Sequence, residues 1–130
     1  QEQPMNKRTP LAFLALSLAG VLAATAADAA SIRVKCEQRG TRSATVSVDG
    51  SNMTPGAYSA LVISGSNSAQ SGAMDTVGDE VAFDFSSKPN DIAAGAVEIP
   101  RNFIQGGSVT AKILSGDFTV ISDTVACRVR

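Results

Sequence analysis

The sequence lacks two residues on which many protein functions depend, histidine and tryptophan, and its aromatic residues are five phenylalanines and one tyrosine. The absence of histidine excludes the usual general base, the Ser-His-Asp and Cys-His nucleophile systems, and the commonest transition-metal ligand. Paired carboxylates alone can hydrolyse glycosides, but so few aromatic rings leave little surface for sugar stacking. We therefore expect no catalytic activity and no cofactor, and a small hydrolase is the least favoured interpretation.

One polar segment could still supply a nucleophile, because Ser86 or Ser87 stands close to Lys88 in the sequence SSKP. A neighbouring base can activate a serine hydroxyl. Serine and proline together are more typical of a turn, because the proline ring fixes φ and the serine hydroxyl bonds to the local backbone. We expect this segment to form a polar turn.

Long apolar runs are scarce too. The longest covers residues 11–24 and follows Met5 and the basic pair Lys7 and Arg8. It is shorter than the roughly 20 residues that a helix needs to cross a bilayer, and the small residues 27–29 that follow form an A-x-A cleavage pattern. The sequence predicts a signal peptide over residues 5–29, cut after Ala29. Residues 1–4 are interpreted as an expression scar or a misread start. Residues 30–130 are expected to form a single exported domain, periplasmic or extracellular, with no membrane span after processing.

Cysteine is limited to Cys36 and Cys127, which stand near the two ends of the predicted domain. In an exported chain, an isolated pair of cysteines is typical of a disulfide. Each cysteine lies on the apolar side of an alternating run, IRVKC or VACRV, so both sulfurs are expected in the core. The sequence therefore predicts a disulfide that ties the first strand to the last.

Short alternating runs separated by turn residues make up most of the remaining sequence. Apolar side chains alternate over residues 44–48, 81–85 and 109–113, and AYSALVI is apolar on both faces, as in a central strand. SNSAQSGAM predicts a loop or a weak edge strand, and DIAAGAVEIP a helical turn or another short strand. About seven to eight short strands favour an all-β fold, namely one antiparallel β-sandwich of immunoglobulin-like type, with a small barrel as the alternative. The resemblance is architectural only, because the chain has no tryptophan and its cysteines lie near the ends.

Neither sign of charge is in large excess, since residues 30–130 carry nine Lys or Arg and ten Asp or Glu. The balance gives no overall attraction to nucleic acid or an anionic membrane. A disulfide would nevertheless bring six of the nine cations to one edge, the candidate basic binding edge: Arg33, Lys35, Arg39, Arg42, Arg128 and Arg130. Such an edge discourages pairing between edge strands, or it binds an anionic partner.

Acidic residues cluster in the middle of the chain, at Asp75, Asp79, Glu80, Asp84 and Asp91. Oxygen ligands suit calcium, and the first four of these residues form a weak calcium candidate. Their spacing differs from that of a dedicated calcium loop, which has alternate ligands around a glycine and a closing glutamate. We expect a solvated acidic edge and no metal.

These features favour a non-catalytic exported binding module whose ligand is an anionic glycan, an acidic protein surface or another copy of the chain. Nucleic acid is not expected, because no aromatic stacking positions accompany the basic residues. The alternative is a structural subunit of an envelope or extracellular assembly, in which an exposed edge strand pairs with a neighbour.

Overall fold

The computed structural model describes residues 29–130, which form two β-sheets and one short helix, so the all-β prediction is confirmed. The predicted leader, apart from Ala29, and residues 1–4 lie outside the described residues. In chain order the elements are β1 Ser31–Arg39, β2 Ser43–Ser51, β3 Ala57–Ser64, β4 Asn67–Gln70, β5 Met74–Asp75, β6 Val81–Ser86, α1 Pro89–Ala93, β7 Val97–Glu98, β8 Ser108–Ser115, β9 Phe118–Ala126 and β10 Arg128–Val129. Seven of the ten strands span four residues or more.

The strands divide between two five-stranded sheets. Sheet A has the order β9-β8-β3-β4, and β5 also pairs with β3; sheet B has the order β10-β1-β2-β6-β7. Neighbouring strands are antiparallel, except that the two-residue strands β10 and β7 run parallel to β1 and β6. Each side of sheet B therefore ends in a long strand that a two-residue strand covers only in part.

One cluster of buried side chains joins the two sheets. The alternation that predicted the strands explains it, because every second residue of a strand points to the same face. From sheet B the cluster receives Val34, Cys36, Val46, Val48, Val81, Phe83 and Phe85, and from sheet A Tyr58, Ala60, Val62, Val109, Ala111 and Ile113. Burial of each large apolar side chain is worth about 1.5–3 kcal/mol.

The sheets approach closely at Gly50 in β2. A Cβ atom built there would lie 2.7 Å from Cδ1 of Ile113 in sheet A and 3.1 Å from the sulfur of Met53. Any larger residue would overpack this point and shift the backbone. Gly50 is thus needed for the packing between the sheets.

The structure decides between the alternative elements that the sequence allowed for two segments. SNSAQSGAM contributes the four-residue strand β4 and the start of β5. DIAAGAVEIP contains both alternatives at once, the end of helix α1 and the strand β7. Both segments lie at the borders of the sheets, where few neighbours fix the backbone, so sequence patterning alone could not choose between the alternatives.

The predicted disulfide between Cys36 and Cys127 is confirmed, and it links positions 91 residues apart. Cys127 lies between β9 of sheet A and β10 of sheet B, so the chain passes from one sheet to the other at the bridge. The bond therefore joins the end of the chain to β1 at the place where the two sheets meet.

No helix within residues 29–130 combines the length and the hydropathy that a bilayer crossing requires.

Candidate functional site

The predicted basic residues lie together where β10 returns beside β1. Arg128 is in register with Glu37, and the backbone N–H of Arg130 donates to the Gln38 carbonyl at 2.9 Å. Along β1, the turn after it and β10 lie the six cations, which we call the basic edge: Arg33, Lys35, Arg39, Arg42, Arg128 and Arg130. Residues from the two ends of the chain thus share one border of sheet B.

One carboxylate interrupts the basic edge. Oε2 of Glu37 lies 3.2 Å from the Arg130 guanidinium, and the two side chains are 37% and 44% exposed. An exposed ion pair of this kind contributes about 0–1 kcal/mol. Within residues 29–130, neither Arg33 nor Lys35 forms an ion pair, so their charges remain available to a partner.

Four of the acidic residues lie at or near the β6 border of sheet B, and Asp75 lies in β5 of sheet A. They belong to β5, to the turn before β6, to β6 itself and to the helix α1 that packs against it. We call this group the acidic edge: Asp75, Asp79, Glu80, Asp84 and Asp91. Lys88, directly before α1, is a cation on the same side. The two charged clusters therefore lie on different strands but approach each other, because Arg33 lines one pocket with Asp75 and Glu80, and Lys35 lines another with Asp84 and Asp91.

The solvent-facing surface of sheet B connects the two edges. In one row Arg33 of β1 is in register with Asp49 of β2, which is in register with Ala82 of β6. In the next row Ser47 of β2 lies between Lys35 of β1 and Asp84 of β6. The backbones at Lys35 and Asp84 are therefore about 10 Å apart, because neighbouring strands are spaced by roughly 4.8 Å. Positive charge thus lies at the β1 side of this face and negative charge at the β6 side.

Both borders of sheet B expose unpaired backbone. Within residues 29–130, β10 pairs with β1 only at Glu37 and Gln38, and β7 pairs with β6 only at Phe85 and Ser86. Residues 31–36 of β1 and 81–84 of β6 pair with no described strand on their other side, although β9 of sheet A packs against β1. Unpaired edges of this kind can accept another strand.

A groove of about 770 Å³ runs along β6 and extends across β2 to Lys35 and Glu37 of β1. Its walls are the segments 71–74, between β4 and β5, and 94–97, between α1 and β7. Small residues dominate these walls, which hold Gly72, Ala73, Ala94, Gly95 and Ala96. The groove therefore leaves room for a polypeptide backbone to approach the edge of β6.

The serines next to Lys88 have structural roles. Oγ of Ser86 donates to the Asp91 carboxylate at 2.7 Å and accepts from the Lys88 backbone N–H at 3.0 Å, and the residue is 2% exposed. Oγ of Ser87 accepts from the Ala44 backbone N–H at 3.0 Å. These hydroxyls fix the end of β6 and the start of α1, so the segment predicted as a polar turn joins a strand directly to a helix.

The weak calcium candidate comprised Asp75, Asp79, Glu80 and Asp84. These residues share one side of the domain, but among residues 29–130 no three Asp, Glu, His or Cys side chains are grouped closely enough to hold a metal ion. The acidic edge is thus a distribution of separate charges in the described structure.

Two features of the site had no clear signal in the sequence, the open part of β6 and the groove beside it. The alternation of Val81, Phe83 and Phe85 identifies the strand, but it does not show which strand lies next to it. The run of small residues from Ala93 to Ala96 was the available hint, because small side chains allow a backbone to approach.

No family model, curated protein or solved structure matches this chain. Proposals about its function therefore depend on the geometry of the edges described above.

Proposed function

We propose that the chain is an exported, non-catalytic binding module, built as an immunoglobulin-like sandwich and recognising an acidic partner through the basic edge. The observation that carries the proposal is the placement of six of the nine cations of residues 30–130 on one border of sheet B. Cations clustered on one surface steer and orient an anionic partner, even when the net charge of the domain is close to zero.

Export is supported by two features. The leader pattern at residues 5–29 is typical of a signal peptide. The Cys36–Cys127 disulfide is typical of proteins that fold in an oxidising compartment. A periplasmic or extracellular location agrees with both.

The experiment compares two double variants with the same change in net charge. Arg33→Glu with Lys35→Glu reverses the basic edge, and Arg101→Glu with Lys112→Glu reverses two cations outside it. Each protein is loaded on a heparin column, which serves as a polyanion probe, and eluted with salt. We expect the basic-edge variant to elute at clearly lower salt than the control variant. Equal loss in both would show that net charge, and not this edge, governs binding.

A second candidate function is a structural subunit of an envelope or extracellular assembly. The observation that favours it is the pair of open borders on sheet B, residues 31–36 of β1 and 81–84 of β6. Strands added at such borders connect the subunits of many assemblies.

A further inference from the structure

We propose that the acidic partner of the basic edge is the acidic edge of a second copy of this chain. The open part of β1 in one molecule would pair with the open part of β6 in the next, so that sheet B continues from copy to copy. This inference rests on the proposed function, because it requires the basic edge to be a binding surface, and it adds the identity of the partner.

The backbone groups at the two borders are suited to each other. The Gln38 carbonyl bonds outward to β10, so by alternation the N–H and C=O groups of Ile32 and Val34 also point away from β2. The Ser86 carbonyl bonds outward to Ile99 at 3.0 Å, so the Ala82 groups likewise point away from β2. Each border thus has unpaired N–H donors and C=O acceptors that can bond to those of the other border.

The directions of the strands fix the kind of contact. Both β1 and β6 are antiparallel to β2, so they run parallel to each other. A second copy related by translation would therefore place its β1 parallel to β6 of the first. Because the contact joins two different surfaces, it leaves one border free at each end and can repeat without closing.

Charge complementarity argues that the occupant is another copy. Arg33 and Lys35 project from the solvent-facing side of β1, and Asp84 projects from the same side of β6. Pairing of the two borders would place cations next to anions, with Asp79 and Glu80 close to the junction. Within one molecule β2 lies between Lys35 and Asp84, and among residues 29–130 the two side chains form no ion pair.

The groove beside β6 supplies the space for an incoming strand. Its walls carry Gly72, Ala73, Ala94, Gly95 and Ala96, whose small side chains would not block a neighbouring backbone. At the base of the groove lie Phe83 and Phe85, which fill the core below the open border. The incoming β1 would thus meet the edge of β6 and a mixed-charge rim that carries Asp84 and Asp91 together with Lys88.

An exposed apolar side chain lies near each border. Phe118 belongs to β9, which packs against β1, and Met74 of β5 lines the groove along β6. Phe118 is 71% exposed and Met74 is 49% exposed. If copies lie side by side, the Phe118 ring of one copy would approach the Met74 thioether of the next. A sulfur–aromatic contact of this kind is worth about 0.3–1.5 kcal/mol.

The outer strand of sheet A, β9, is a poorer candidate for the contact. Its register with β8 shifts between Ile113 and Leu114, which bulges the strand. Asp123 lies opposite Ala111, so its carboxylate is on the core-facing side of this outer strand, and it accepts a hydrogen bond from the Thr124 N–H at 2.9 Å. Bulges and inward charges are devices that prevent strand pairing.

The first test measures the mass of the protein, expressed as the full chain and recovered after export, by sedimentation velocity over a range of concentrations. At an ionic strength of about 0.01 M, where charges act over roughly 30 Å, we expect the mass to grow past a dimer as concentration rises. At about 1 M, where the range is roughly 3 Å, association should be at least about tenfold weaker. A monomer at every concentration and both salts would overturn the inference, as would a species that stops at a dimer.

The decisive test exchanges charges between the borders. In the first variant, Arg33→Glu with Lys35→Glu makes the open part of β1 acidic, as that of β6 is; in the second, Ala82→Lys with Asp84→Lys makes the open part of β6 basic, as that of β1 is. We expect each variant to be monomeric alone, and an equal mixture to assemble, because every acidic border then meets a basic one. A mixture that stays monomeric while both variants melt like the unaltered protein would overturn the inference.

A third pair of variants tests the backbone contact without changing charge. Ala82→Pro removes an N–H that faces away from β2, and Ala82→Thr keeps it. We expect the proline variant to lose assembly and the threonine variant to retain it. Assembly by both proteins to the same extent would show that β6 does not form the contact.

The heparin experiment separates this inference from the proposed function. Asp84→Lys should prevent self-association without weakening retention on heparin, because Asp84 is not part of the basic edge. If Arg33→Glu with Lys35→Glu lowers heparin retention and no variant or salt changes the mass, the basic edge binds an acidic partner other than this chain. That result would retain the proposed function and overturn the inference.

Discussion

The two borders of sheet B are stabilised in different ways. At the β1 border, the Cys36–Cys127 bond joins the end of the chain covalently to the strand. At the β6 border there is no covalent link; helix α1 and strand β7 are attached by hydrogen bonds, chiefly those of Ser86 with Asp91 and Lys88. The disulfide stabilises the β1 border mainly by reducing the conformational entropy of the unfolded chain. The β6 border is instead stabilised by local polar contacts in the folded state. Substitutions should therefore affect the two borders by different amounts.

The largest expected effect comes from removing the disulfide. The bond closes a loop of 91 residues, for which the chain-entropy model gives about 4–5 kcal/mol of stability. Replacing Cys36 and Cys127 together by serine should lower the melting temperature by about 16–40 °C, because each kcal/mol corresponds to about 4–8 °C in a domain of this size. Circular dichroism melting curves measure the change.

Reduction of the unaltered protein is the control for that variant. It breaks the same bond without introducing hydroxyl groups, so it should lower the melting temperature by a similar amount. If the reduced protein melted like the oxidised one, the bridge would not stabilise the β1 border, and the contrast between the borders would be lost.

An intermediate effect is expected at the β6 border. Ser86→Ala removes a hydrogen bond to the Asp91 carboxylate and leaves the Lys88 N–H without its acceptor. The cost should be about 1–3 kcal/mol, the usual penalty for unpaired buried polar groups. Hydrogen exchange followed by mass spectrometry should show faster exchange in α1 and in the segment that leads to β7.

Ser122→Ala, at an exposed position in β9, is the matched control. It should leave both the melting temperature and the exchange near α1 unchanged, since surface substitutions usually stay within about 0.5 kcal/mol. Equal protection of α1 in the Ser86→Ala protein and the control would mean that the Ser86 hydroxyl does not hold this border.

The contrast also explains what the sequence could predict. Cys36 and Cys127 are the two cysteines of the chain, and each sits on the apolar side of an alternating run, so their pairing followed from the sequence. The same alternation identified β6, because Phe83 and Phe85 must both face the core. These predictions depend on local patterning and on a unique pair, and both can be read along the chain.

The open borders could not be predicted in the same way. Whether Ala82 has a partner strand depends on where β7 stops, and β7 pairs only at Phe85 and Ser86. The five-residue helix α1 is too short to show a helical pattern of its own and depends on the Ser86–Asp91 contact. Such features arise from tertiary neighbours, and a single sequence carries little information about them.

The smallest expected effect is at the charged end of the β1 border. The ion pair between Glu37 and Arg130 joins two side chains that are 37% and 44% exposed, so solvent and salt screen it. Glu37→Gln, Arg130→Gln and the double variant should each change the free energy of unfolding by less than about 1 kcal/mol. Urea unfolding at low and at high salt, analysed as a double-mutant cycle, measures the coupling between the two residues.

The same cycle can sharpen the comparison between the borders. The covalent bond, not the ion pair, should hold β10 against β1, so a small coupling at low salt should fall towards zero at high salt. A coupling above about 2 kcal/mol that persists at high salt would exceed the range of exposed pairs. In that case Arg130 would have a structural role, and it would no longer count among the charges offered to an acidic partner.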